Sequence, residues 1–283
     1  MATQEDVQFH YDIDNDFFKL FLDKKYRVYS CGVWEQAENL EEAQKNKLKR
    51  IADYGHVKNG HNVLDIGCGW GGMLNYCIDV RGASTATGLT LSQAQYDYIH
   101  HLSNSSISVK LSSWAEFEKK EKFDSIISIG AMEHFSSLED FKKGKQQDVY
   151  RNFFQCCSDF STNDAHLGLQ TIVTFKKPDS LQSMKDTHYL LKHVFPGSVL
   201  PGINDLHAAM LGIYEPVELK TIGFDYARTV LEWKNRLILN KEKIIKLYGE
   251  KLWIHYNFYF DAARRSFENG YTNLVQMSLR KII

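Results

Sequence analysis

The stretch Val63-Leu64-Asp65-Ile66-Gly67-Cys68-Gly69-Trp70-Gly71 decides how this chain is read. Its apolar residues predict a short buried strand over 62–66, and the glycines behind it predict a tight turn that opens a helix over 73–80. Glycine at such a turn removes the Cβ, so a ligand can lie against the backbone. A dinucleotide-binding turn would space its glycines GxGxxG and carry an acid at the end of the second strand. Here the spacing is GxGxG, and the second strand ends in Gly88-Leu89-Thr90. Asp65, delivered by the strand to the turn, suits a cationic amino-acid moiety better than a phosphate.

Outward from this turn, strands are expected over 83–89, 107–111, 123–129 and 167–175, with helices over 92–102 and 149–160 between them. Strands alternating with helices imply a parallel sheet with crossovers, a doubly wound α/β fold. The chain divides into an N-terminal helical cap over 5–55, a cofactor-binding half over 56–175, an insert over 176–215 and a C-terminal part over 216–283, all in one domain. The cap carries an amphipathic helix over 40–51 and a loop at Tyr29-Ser30-Cys31-Gly32. The insert breaks the strand–helix rhythm and reads as helices and loops over the carboxyl edge of the sheet. The last part reads as a strand over 217–223, one helix from Arg228 through Tyr248 to about Asn269, and a strand over 272–280.

Composition narrows the function. The 34 basic and 35 acidic side chains leave no net field to recruit nucleic acid or an anionic membrane. No apolar run is long enough to span a bilayer, so stable membrane insertion is not expected. The start, Met1-Ala2-Thr3-Gln4-Glu5-Asp6, is polar and acidic, unlike a secretory or transit signal. Five cysteines without a CxxC pair read as free thiols in a reducing, cytoplasmic compartment, with Cys156-Cys157 in a core helix. His188, His193 and His207 have no accompanying carboxylate spacing, so no metal site is expected.

Further pieces stand in a fixed order: His10-Tyr11-Asp12 with Asp16-Phe17-Phe18, then Tyr29-Ser30-Cys31, the glycine turn with Trp70, and Gly88-Leu89-Thr90-Leu91-Ser92 with Gln95. Trp114, Ser128-Ile129-Gly130-Ala131-Met132-Glu133-His134-Phe135, Phe195-Pro196-Gly197, and Tyr226-Ala227-Arg228-Thr229 with Trp233 follow. On these motifs the chain, from about residue 8 to its end, resembles the cyclopropane fatty acid synthase family of S-adenosylmethionine-dependent methyltransferases, which includes the mycolic acid cyclopropane synthases. The resemblance implies a Rossmann-like class I methyltransferase with a seven-stranded, mostly parallel sheet and a helical substrate-covering insert.

For the cofactor, the resemblance implies that Tyr29 and Ser30 close over the methionine end of S-adenosylmethionine, with Gly67 and Gly69 beneath. Thr90, Leu91 and Gln95 would meet the adenosine, Ser113 and Trp114 the adenine, with His134 nearby. The family commonly has an acid right after this tryptophan; here Ala115 stands there and Glu116 follows. For catalysis, the resemblance implies a bicarbonate ion held by Cys31, Glu133, the backbone at Ile172 and Tyr226. The family's fifth member is a histidine, and this chain has Gln170. Glutamine donates a hydrogen bond but carries no charge, so the anion is held more weakly or replaced by water, with Glu133 itself as the base.

The expected activity is C-methylation of a carbon–carbon double bond through a carbocation, which aromatic rings stabilise before a base removes a proton. Relatives acting on membrane phospholipids carry an additional N-terminal domain that this sequence lacks. The expected acceptor is therefore a carrier-bound acyl chain, a prenyl diphosphate or a small natural product. An N-methyltransferase for a small amine is the alternative, since related plant alkaloid enzymes share the motif order; a non-catalytic cofactor-binding module is a third. Met184, Tyr189, Leu190, Phe195, Leu200, Met210 and Leu211 are expected to line an apolar acceptor pocket. A homodimer is left open by the sequence.

Overall fold

The computed structural model describes residues 14–118 and 122–282; the motif His10-Tyr11-Asp12 lies outside them. A single turn, α1 (Asn15–Phe18), precedes the loop that carries Tyr29 and Ser30. Asp23, itself buried, shapes that loop by accepting from the N–H groups of Tyr26 at 2.7 Å, Arg27 at 3.2 Å and Val28 at 2.8 Å. Helix α2 (Leu40–Tyr54) starts at Asn39, whose side chain accepts from the N–H of Glu42. Its buried stripe runs Leu40, Ala43, Gln44, Lys47, Leu48 and Ile51, the spacing of one helix face.

The alternating part follows as β1 (Asn62–Ile66), α3 (Gly72–Asp79), β2 (Thr85–Thr90), α4 (Gln93–His101), β3 (Ile107–Leu111) and β4 (Phe123–Ile129). A 3-10 turn, Met132–His134, then leads to α5 (Leu138–Lys142), α6 (Gln146–Phe160) and β5 (Ser161–Thr174). The insert supplies α7 (Leu181–His193) and α8 (Ile203–Met210). The chain closes with β6 (Tyr214–Thr221), α9 (Gly223–Leu239), α10 (Lys241–Tyr248), α11 (Glu250–Glu268) and β7 (Thr272–Lys281).

Among the described residues, seven strands form one sheet in the order β3-β2-β1-β4-β5-β7-β6. Strands β1 to β5 pair in parallel, while β7 runs antiparallel to both β5 and β6. The sheet is thus mostly parallel, as the alternation implies. The strand order reverses beside β1, between β2 and β4, so a crevice opens at the carboxyl ends of those strands. Pro216 sits in β6, an edge strand, where a missing N–H costs least.

Three local expectations need correction. The long C-terminal helix is three helices, broken at Asn240 and at Gly249, whose φ of +87° only glycine adopts without strain. Apolar periodicity continues across both breaks, so it hides them. Strand β5 starts at Ser161, earlier than expected, and its pairing with β4 shifts register between Ser161 and His166. Strand β6 begins at Tyr214, inside the stretch read as insert.

Candidate active site

The glycine turn behaves as its spacing implies. Gly67 has φ +83° and a Cβ there would sit 2.6 Å from Ala131 Cβ, whereas a Cβ on Gly69 (φ +55°) would meet nothing within 4 Å. The first glycine is required by close packing, and the second leaves the floor of a cleft open. That cleft opens to solvent, and it and its mouth together hold about 1160 Å³ of empty space. Its walls include all eleven residues expected to hold a cofactor: Tyr29, Ser30, Asp65, Gly67, Gly69, Thr90, Leu91, Gln95, Ser113, Trp114 and His134.

The two ends of the cleft differ in chemistry. At one end Trp114, buried against Phe135 and Phe153, gives a flat apolar wall. Thr90 Oγ1 donates to Gln95 Oε1 at 2.8 Å, fixing two polar side chains beside it. Glu116 is turned away, accepting from Ser113 Oγ at 2.8 Å and standing exposed. At the other end lies Asp65, fully buried, with its Oδ1 lacking a hydrogen-bond partner among the described residues. Burial pushes the Asp65 carboxyl up to about 7 against the opposing pull of Lys47. A buried carboxylate oxygen left without a donor fits a cationic partner supplied from outside the chain.

Lys47 also lines this end, and sequence reading missed it. Its side chain is fully buried and its Nζ donates to Ser30 Oγ at 3.0 Å, while Gln44 Nε2 one turn earlier donates to the Ser30 carbonyl at 2.8 Å. Desolvation lowers the ammonium to about 8, with Asp23, Cys31 and Asp65 pulling the other way. A signal was present: Lys47 falls within the apolar stripe of α2, where a surface lysine would not. Arg27, over the Tyr98 ring at 4.8 Å, is a second cation on the cleft wall that sequence reading missed.

A second, smaller hollow is lined by Tyr29, Ser30, Gly130, Glu133, His134, Ile172, Phe195, Tyr226 and Tyr259. It shares Tyr29, Ser30, Gly130 and His134 with the first, so the two adjoin. Glu133 stands in the 3-10 turn after β4, 2% exposed, and its Oε1 accepts from the Ile172 N–H at 2.7 Å. Its Oε2 is buried without a hydrogen-bond partner among the described residues. Burial raises this carboxyl to about 7, outweighing the hydrogen bonds that favour its charge. Tyr226 lies in the first turn of α9, stacked on Phe267 at 4.4 Å between ring centres. Phe195 comes from the insert and faces His134 at 5.5 Å.

Two of the expected cage residues stand apart from this hollow. Cys31 packs against Ile172 and Tyr226 but does not line the cavity, and burial keeps its thiol well above its ordinary range. Gln170 is also buried and off the wall: its Oε1 accepts from Gln276 Nε2 at 2.7 Å, across the register pair of β5 and β7. Tyr259 of α11 lines the hollow and was missed. Of the insert residues expected to line the acceptor pocket, Phe195 lines this hollow; Met184 and Leu211 are exposed, and Met210 belongs to the main core. Helix α8 packs against α6, which turns its apolar face into the core.

A ligand that fits the cleft must be flat at the Trp114 end and cationic where it meets Asp65. Adenosine joined to an amino acid has that form, and a parallel sheet closed by one antiparallel strand is the class I methyltransferase scaffold. The fold and cleft thus define an S-adenosylmethionine-dependent methyltransferase. The chain belongs to the mycolic acid cyclopropane synthetase family, whose model matches residues 1–277. It is 32% identical to cyclopropane mycolic acid synthase 3 of Mycobacterium tuberculosis, over 97% of this chain and 96% of that protein. Among solved structures it is similar to the cyclopropane synthase MmaA2 from Mycobacterium tuberculosis, with 30% identity, a TM-score of 0.89 and 99% of each chain covered. The mycolic acid cyclopropane synthase CmaA1 complexed with SAH and CTAB is also similar, with 29% identity, a TM-score of 0.89 and 99% of each chain covered. No helix among the described residues is long and apolar enough to cross a membrane, and no cluster of three or more His, Cys, Asp or Glu that could hold a metal occurs among them.

Proposed function

We propose that this methyltransferase transfers a methyl group to a carbon–carbon double bond of a lipid-like acceptor and that Glu133 is the base that completes the reaction. The observation that carries the reading is the half-satisfied Glu133 carboxylate, buried in an aromatic-walled hollow that adjoins the cofactor cleft. S-adenosylmethionine, when bound, supplies an electrophilic methyl on a sulfonium. Asp65, Thr90, Gln95 and the Gly67–Gly69 turn would hold it, with Trp114 against the adenine. Tyr29, Ser30, Gly130 and His134 stand where the two cavities meet, and the acceptor alkene would present its π electrons there.

Attack on the methyl carbon leaves a positive charge on the acceptor. Tyr226, Tyr259, Tyr29 and Phe195 line the hollow, and their rings would stabilise that cation without reacting with it. The Glu133 oxygen not held by Ile172 accepts the proton that closes a ring or restores an alkene. Its raised pKa suits that step, since a base titrating near 7 combines basicity with availability at neutral pH. Bicarbonate, if bound, would lie within reach of Glu133, the Ile172 region and Tyr226; Gln170, committed to Gln276, offers it no charge. The apolar walls and the mycolic acid named for the relatives support a lipid-like acceptor, and the free state of all five cysteines supports a cytoplasmic enzyme.

The neutral Gln170 also favours a second reading, N-methylation of a small amine, in which no carbocation forms and no bicarbonate is needed. Glu133→Gln separates a base from a structural cap: the variant keeps the SAH affinity of the wild type and loses ~100-fold or more in turnover. Unchanged turnover would remove Glu133 from the mechanism.

A further inference from the structure

Lys47 is an unusual residue to bury. Its exposure is 0%, it lies on the wall of the cofactor cleft, and among the described residues its one hydrogen bond is to the Ser30 hydroxyl at 3.0 Å. It forms no ion pair with a carboxylate among the described residues. Taking an ammonium out of water is unfavourable unless a partner compensates, and one neutral hydroxyl is a weak partner. Across the same end of the cleft Asp65 is equally buried, with Oδ1 unsatisfied. Two opposite charges thus face one cavity, each short of the partner its burial requires.

We propose that Lys47 is the carboxylate-recognition residue of the cofactor site: its ammonium, steadied by Ser30, pairs with the methionine carboxylate while Asp65 pairs with the methionine ammonium. The assignment rests on the cofactor reading of the cleft and not on the identity of the methyl acceptor. A zwitterionic amino acid supplies both missing partners at once, so a ligand lacking its carboxylate leaves Lys47 buried and unpaired. Fixing the methionine end also fixes the sulfur, which aims the methyl toward the hollow that holds Glu133. Lys47 acts on the reaction as a positioning residue.

The geometry of α2 gives the assignment a structural rival. Gln44 and Lys47 both hold Ser30, so Lys47 would equally be explained as a clamp on the Tyr29-Ser30-Cys31 loop. The two roles separate by calorimetric titration with SAH and with its decarboxylated analogue, which keeps the adenosine, the sulfur and the ammonium. Wild-type protein is expected to bind the analogue ~30-fold or more weaker than SAH. Lys47→Met and Lys47→Gln are both expected to lose that preference, binding SAH and the analogue within about threefold of each other, as a double-mutant cycle requires for a direct pair. Lys47→Gln can still donate to Ser30, so a variant of that kind with wild-type preference would assign the lysine to the loop clamp. Loss of affinity for both ligands in equal proportion would overturn the proposal in the same way. Should neither variant fold, the wild-type comparison stands alone: equal affinity for SAH and the analogue refutes the pairing. Wild-type protein that binds neither ligand contradicts the cofactor reading itself.

Discussion

Glu133 Oε1 accepts the Ile172 N–H at 2.7 Å, while Glu133 Oε2, equally enclosed, is left without a hydrogen-bond partner among the described residues. One oxygen orients the carboxylate and the other is free to take a proton. Because burial raises this group to about 7, the ionised fraction grows across neutral pH. The rate of the proton-transfer step, and with it kcat/KM where that step limits, is expected to rise through about 7 and level off above. A kcat/KM profile flat from pH 6 to 8 would contradict the role.

The same shift has a consequence for stability. The folded-state pKa lies above the ordinary carboxylate value of 4.5, so the unfolded chain gives up its proton first. This contribution is fully present below about 4.5 and is lost as pH rises through about 7. Glu133→Gln stays neutral and escapes that loss. Thermal melts are expected to place the variant progressively above the wild type as pH goes from 5 to 8, and a constant difference would contradict the raised pKa.

Asp65 titrates in the same direction, with burial the dominant cause. Its carboxylate is the expected partner of the methionine ammonium. Asp65→Asn removes the charge and keeps the shape, and SAH affinity is expected to fall ~10- to 100-fold, with the far-ultraviolet spectrum unchanged. Calorimetry checks both wild type and variant under one buffer.

Thr229 anchors the loop that carries the site. Its hydroxyl accepts from the Gly32 N–H at 3.1 Å and from Trp34 Nε1 at 2.9 Å, and donates to the Asp225 carbonyl at 2.8 Å. Thr229→Val leaves two donors unsatisfied, one of them the buried indole of Trp34. The expected cost is about 2–4 kcal/mol in urea unfolding, since each buried donor left unpaired forfeits about 1–3 kcal/mol. A change below about 0.5 kcal/mol would show that water or a shifted loop replaces the hydroxyl.

Gln170 provides a test of the anion. Its Oε1 is taken by Gln276, and its Nε2 has no acceptor among the described residues. Gln170→His introduces a group that can carry charge beside Ile172. Because residue 170 lies off the wall of the hollow, the variant is expected to respond to added bicarbonate as the wild type does. Stimulation of the variant at several-fold lower bicarbonate concentration than the wild type would place residue 170 within the anion's reach and contradict that placement.

Much of this was legible in the sequence. The run from Val63 to Gly71 gives β1 and its turn because an apolar strand needs a way out at the sheet edge, and glycine alone fits it. Glu133 follows β4 directly, so the strand itself carries it to the carboxyl edge. Lys47 was harder to see, because α2 reads as a charged amphipathic helix and only its place in the buried stripe distinguishes it from the other lysines. The Gln170–Gln276 pair depends on the antiparallel register of β5 and β7, which joins residues 106 apart and leaves no local trace. The breaks at Asn240 and Gly249 escape notice for the opposite reason, since local periodicity runs straight through them. Helix α8 shows the limit of composition: its apolar face suits a pocket and a core equally, and packing against α6 decides for the core.

Carbocation chemistry at Glu133 is decided by mass spectrometry of the protein incubated with methyl-labelled S-adenosylmethionine and a panel of unsaturated acyl carriers, prenyl diphosphates and amines, with and without bicarbonate. A labelled one-carbon gain on an alkene acceptor that depends on Glu133 is expected. A gain on an amine, indifferent to bicarbonate and to Glu133→Gln, would leave the fold and the cofactor cleft standing and contradict the carbocation chemistry.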